Sequence, residues 1–141
     1  MNIPPIGTMS TPKMHAIEAG AIRDFAEALG LQYPAYYSQS QARTLGFQDV
    51  VAPPTFAITL QGHAVPGLDL PKAGLIHGEQ SFKFGAPIVV HDTVSVVTQV
   101  IGTKARGPLT FLTLETVGTN QDQHWVFTST STIIASQEAS S

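Results

Sequence analysis

His77 and Glu79 stand two residues apart within residues 74–84, a segment with strand character. In a strand that spacing puts both side chains on one face. A carboxylate so placed can polarise an imidazole, or the two can hydrogen-bond a substrate hydroxyl, which makes them the candidate catalytic pair. The alternative is a structural pair that closes a hydrogen-bond network. Thr55, Thr59 and His63 fall at i, i+4 and i+8, a polar stripe on an otherwise apolar helical segment, turned to solvent or to a partner chain. Tyr33, Tyr36 and Tyr37 each join an apolar ring to a polar tip and suit either a channel lining or loop packing. His91-Asp92 falls in a turn before a strand, and Lys83, Lys104 and Arg106 are scattered cations of the kind that water usually solvates.

Other chemistries drop out. Without cysteine there is no thiol catalysis, disulfide scaffold or Cys-ligated metal. The five histidines show no His-x-x-x-His or similar spacing, so no metal is expected. No glycine-rich phosphate cradle points to a nucleotide cofactor. Seven Lys+Arg against ten Asp+Glu give a formal charge of −3, and no basic run exceeds Lys104–Arg106. Nucleic-acid binding by phosphate neutralisation is therefore not expected. No apolar run approaches the roughly 18 residues of a membrane span, and Met1–Pro12 lacks the basic and apolar regions of a signal peptide. The expectation is a cytoplasmic protein with no membrane partner.

These residues need elements to position them, and 141 residues is the size of one domain. Residues 1–12 hold three prolines and no period, which predicts an N-terminal arm; 13–136 form the domain, and 137–141 a disordered tail. Ile22, Phe25, Ala26 and Leu29 recur at helical spacing over residues 18–29, and Gly30 is placed to end that helix. A short helical piece covers 38–45. Pro53-Pro54 opens a strongly apolar run, which predicts a central helix over 54–64. Strands are predicted at 74–84, 93–101, 109–117 and 125–135, with Val94, Val96, Thr98 and Val100 alternating and turn residues at Gly107-Pro108 and Asn120–Gln123. Phe82 and Phe84 share a strand face with Gln80 and are expected in the core.

Helices first and strands after make an α+β chain rather than an alternating one. An antiparallel sheet wrapped around one buried helix describes the hotdog fold. Charged residues are 12% of the chain, about half the ~25% usual in soluble domains, so part of the surface is expected to be buried against a partner. A single sheet also leaves an open edge, which favours dimers.

Five segments in order resemble the MaoC-like hydratase/dehydratase branch of hotdog proteins, and within it the subtype similar to the N-terminal half of the fatty-acid-synthase-type dehydratase. They are Gly20-Ala21-Ile22-Arg23-Asp24-Phe25-Ala26, Val51-Ala52-Pro53-Pro54-Thr55-Phe56, His77-Gly78-Glu79-Gln80-Ser81-Phe82, Pro87-Ile88-Val89-Val90-His91-Asp92-Thr93, and Leu112-Thr113-Leu114-Glu115 with Thr119-Asn120-Gln121-Asp122. The likeness spans about residues 14 to 135. It implies acyl thioesters of coenzyme A or acyl carrier protein as substrates, with coenzyme A or phosphopantetheine entering only as part of the substrate and no separate cofactor. The reaction implied is reversible hydration of a 2,3-enoyl thioester. That needs a base for water, an acid for the hydroxyl and donors on the thioester oxygen. On the family pattern the donors are backbone N–H groups at the start of the central helix. Here those are Thr55 and Phe56, since Pro54 has none, and Tyr33, Tyr36 and Tyr37 would line the acyl or pantetheine channel.

The acid and base depart from the pattern. Catalytic members carry Asp-x-Asn-Pro-x-His; with Pro34 as anchor, Leu31 stands at the Asp and Tyr36 at the His. Leu is no base, and Tyr, with a reference pKa of about 10, replaces His poorly near neutrality. In two-component relatives one half carries the pair and the other shapes the acyl tunnel; this chain resembles the second. The readings are a hydratase/dehydratase-type protein working as a homodimer or as a heterodimer with a catalytic hotdog subunit, a non-catalytic acyl-thioester-binding subunit or regulator, and a hotdog thioesterase using Asp49 or Glu79.

Overall fold

The computed structural model describes residues 1–136, so the predicted tail lies outside the described residues. Five antiparallel strands form one sheet in the order β1-β3-β4-β5-β2: β1 Lys13–Ala16, β2 Leu75–Phe84, β3 Thr93–Arg106, β4 Leu109–Thr119 and β5 Trp125–Ser136. The alternation read in 93–101 holds, with Val94, Val96 and Val100 wholly buried. The α+β hotdog architecture is the one observed.

Helix α1, Ala19–Ala28, buries Ile22 and Ala26. It stops at Gly30, whose φ of 70° lets the Gly30 N–H reach the Glu27 carbonyl and the Leu31 N–H the Ala26 carbonyl. Those are the two bonds of a Schellman stop. Helix α2, Gln39–Thr44, starts from the Ser38 hydroxyl, which accepts the Gln41 N–H, and ends the same way at Gly46.

The central helix departs from expectation. It is a six-residue 3-10 helix, Pro54–Thr59, instead of a helix over 54–64. Thr59 Oγ1 donates to the Phe56 carbonyl and Gln61 Nε2 to that of Ile58, so side chains satisfy carbonyls that a continuing helix would use. His15 Nε2 bonds the Gln61 carbonyl. Gly62 then presses against Thr98, where a Cβ would lie 2.5 Å from Thr98 Oγ1. Phe56, Ala57 and Leu60 still pack on Ile22, Val94, Val96 and Phe127 as one core.

Residues 1–12 are aperiodic but tied down. Met9 bridges Gln99, the buried Ser10 donates its N–H to the Thr98 carbonyl, and Asn2 bridges Asp69. This arm and β1 cover the β3 edge of the sheet. At the other edge β2, ten residues long, meets no other strand among the described residues, and Ile76 and Phe84 are 60% and 46% exposed. Phe84 is therefore not core; Phe82 is half-buried and stacks on it at 5.7 Å.

Candidate functional site

The short central helix leaves room above the sheet. A groove of about 570 Å3 lies between residues 57–65 and the inner faces of β2 to β5. The strand register decides which side chains enter it. Thr98, Thr116 and Ser129 lie side by side across β3, β4 and β5; one row further come Leu114, Ser131 and Gln80, then Ile133 and His77. His63 lines the opposite wall.

His77 and Glu79 are not neighbours on one face. A bulge at Gly78 makes His77 pair with Ile133 and Glu79 with the adjacent Thr132. Opposed residues in a sheet share a face and successive ones alternate. His77 therefore goes with Ile133 into the groove, while Glu79 goes with Thr132 to the outer face. The added residue is what undoes the i, i+2 expectation, and the carboxylate cannot polarise the imidazole.

The helix start carries a second, smaller pocket of about 250 Å3, lined by Tyr33, Tyr36, Pro53, Pro54, Phe84 and Val126. Tyr33 and Tyr36 meet edge to face at 5.1 Å. Burial, and after it the neighbouring Tyr33, pushes the Tyr36 hydroxyl above its ordinary value, so at neutral pH it is a donor and not a base. Tyr37 does not join them: its hydroxyl donates to the Leu31 carbonyl and fastens the loop on itself. Phe56 is a core side chain, edge to face with Phe25 at 5.5 Å, and its N–H closes the helical turn onto the Pro53 carbonyl. Of the two oxyanion donors expected, this leaves the N–H of the exposed Thr55. The stripe of Thr55, Thr59 and His63 is broken because the helix ends at Thr59.

Two acidic groups of the sequence reading are engaged in holding loops. Asp49 accepts the Val50 N–H at 2.7 Å and the Gln39 amide at 3.1 Å, with His91 Nε2 at 3.9 Å. The Val50 hydrogen bond, outweighing partial burial and helped by Gln39, His91 and Arg43, holds its carboxyl below the usual range. A carboxylate held ionised by its donors is a weak base, and Asp49 lines neither cavity. Asp92 is buried, accepts the Val89 N–H and the Gln121 amide, and pins the turn that carries His91. With Asp49 engaged and Glu79 on the outer face, a thioesterase finds no carboxylate in the groove among the described residues.

Gln80, Ser129 and Ser131 were not singled out from the sequence. The signal for the two serines was the alternation of β5, which sends Phe127, Ser129, Ser131 and Ile133 to one side; Gln80 joins them as the cross-strand partner of Ser131. Among the described residues no three metal-ligating side chains converge, and no helix is long and apolar enough to cross a membrane.

Known proteins share this fold and sequence. The chain is 32% identical over 137 residues to the UPF0336 protein of Thermobifida fusca, an alignment covering 92% of this chain and 90% of that one. Its structure is similar to the truncated HadBC (3R-hydroxyacyl-ACP dehydratase) complex of Mycobacterium tuberculosis, with a TM-score of 0.79, 20% identity, and 96% of this chain and 100% of that one covered. It is similar also to the ChsH1-ChsH2 complex of the same organism, with a TM-score of 0.74, 18% identity, and 92% and 84% covered. The family model of the FAS1-like dehydratase domain region matches residues 5–129, and the chain belongs to that hotdog dehydratase family.

Proposed function

We propose that this chain is the acyl-holding half of a hydratase/dehydratase for acyl thioesters of coenzyme A or acyl carrier protein, and that a second hotdog chain supplies the acid–base pair. The observation that carries this reading is the groove left by a six-residue central helix, in a chain whose loop offers Leu31 and a neutral Tyr36 where a catalytic pair would stand. The pocket at the helix start is apolar apart from its two tyrosines and can bind the acyl end of a thioester but not transfer its protons. Thr55 N–H, with no partner among the described residues, can meet the thioester oxygen.

The reading takes β2 as the edge that meets the partner. A bare edge of ten residues with exposed apolar side chains invites pairing with another sheet, and HadBC and ChsH1-ChsH2 are both complexes. The test is hydration of crotonyl-CoA by the purified chain, followed by loss of the enoyl absorbance, with its mass in solution and acyl-CoA binding measured on the same sample. The expected result is binding without turnover. Turnover by the chain alone would overturn the division of labour.

A further inference from the structure

The groove floor sets polar groups among Leu114, Phe127 and Ile133 that a plain hydrocarbon would leave unanswered. Thr98 and Thr116 share a hydrogen bond at 3.0 Å, and Gln80 Nε2 donates to Ser129 Oγ at 2.7 Å. The orientation of the Gln80 amide is fixed: the same nitrogen faces the carbonyls of Thr130 at 3.3 Å and Ser81 at 3.4 Å, which accept only from N–H. Gln80 Oε1 is thereby turned away from these partners as an unused acceptor. Beside it stands the Ser131 hydroxyl, its direct cross-strand neighbour, with no partner among the described residues, and His77 follows along the same face. Both Gln80 and Ser131 are half-buried. Methylenes laid over them would strip water from an acceptor and a hydroxyl and return nothing.

From these positions, and resting on the acyl-holding role proposed above, we infer that the preferred acyl chain carries a hydroxyl along its length, donating to Gln80 Oε1 and accepting from the Ser131 hydroxyl. A ketone would satisfy only Ser131. The hydroxyl in question is not the one that dehydration removes. The helix start lies beside Phe84, and Gln80 is four residues back along β2, on the order of 13 Å away at ~3.3 Å per residue. That distance places the hydroxyl several carbons beyond the reacting position.

The test is calorimetric titration of the purified chain with oleoyl-CoA and ricinoleoyl-CoA, which differ by one mid-chain hydroxyl. The inference expects both to bind and ricinoleoyl-CoA to bind about tenfold tighter, as two hydrogen bonds in a half-buried site would give. Ser131→Ala, which removes a single oxygen, should cut that preference severalfold, and Gln80→Leu should abolish it. Equal affinities, or a preference that survives both substitutions, overturn the inference while the acyl-holding reading stands. Binding of neither ligand overturns both.

Discussion

Gly62 meets Thr98 across the inner face of the sheet so closely that a Cβ at position 62 would stand 2.5 Å from the Thr98 hydroxyl and 3.4 Å from its Cβ. Thr98 cannot turn aside freely, because its hydroxyl is bonded to Thr116 at 3.0 Å. This close approach pins the chain that follows the central helix against β3 and walls one side of the groove. Gly62→Ala should therefore destabilise the chain by about 1–3 kcal/mol, the usual cost of overpacking. In urea unfolding the midpoint should fall with the slope unchanged. Thr98→Ala removes the obstructing oxygen, so the double variant should recover part of the loss; strict additivity would mean that the two residues do not press on each other.

Asp49 gives a pH dependence with a definite sign. Its folded pKa is depressed, chiefly by the Val50 N–H. Its contribution to stability is thus present above the unfolded value, about 4, and is lost as pH falls through the folded value. Asp49→Asn should lower the urea midpoint near neutral pH, and the gap to the natural chain should close as pH falls through the depressed folded value and the carboxyl protonates. A gap that persists unchanged in acid would show that the ionised carboxylate contributes nothing.

The strands and helix stops were legible because their causes are local. Alternating Val94, Val96, Thr98 and Val100 can bury one face only as a strand, and Gly30 and Gly46 supply the left-handed residue that each stop requires. The length of the central helix was not legible. Phe56, Ala57, Ile58 and Leu60 read as helix on their own, but the Thr59 and Gln61 side chains take carbonyls that a longer helix would use, and Gly62 then packs on Thr98, which is remote in sequence. The bulge at Gly78 was hidden for a related reason. A Cβ there would lie 2.8 Å from Ile134 Cδ1, so the bulge packs under a side chain of the neighbouring strand, a contact that composition does not reveal. One such residue moved Glu79 off the face that His77 occupies, and with it the expected catalytic pair.

That separation is itself testable. His77 lines the groove, and Glu79 lies on the outer face opposite Thr132. His77→Ala should weaken acyl-CoA binding by roughly threefold to tenfold, the range for one lost hydrogen bond or packing contact. Glu79→Ala should leave the affinity within about twofold, since surface substitutions rarely cost more than half a kcal/mol. Equal losses in both would mean that the two side chains act together after all.

The last prediction concerns the bare edge. Ile76 and Phe84 sit near the two ends of β2 and are its most exposed large apolar residues. Soluble proteins protect such edges with lysine, whose charge cannot be buried between paired strands without a partner. Ile76→Lys with Phe84→Lys should therefore abolish association through β2, reducing the mass in solution to that of a single chain. The fold should survive, because neither side chain belongs to the buried core and β2 keeps its pairing to β5. Circular dichroism and the urea midpoint would establish that. An assembly of unchanged mass, from a variant still folded, would move the interface away from β2, to a surface other than the β3 edge, which β1 and residues 1–12 already cover.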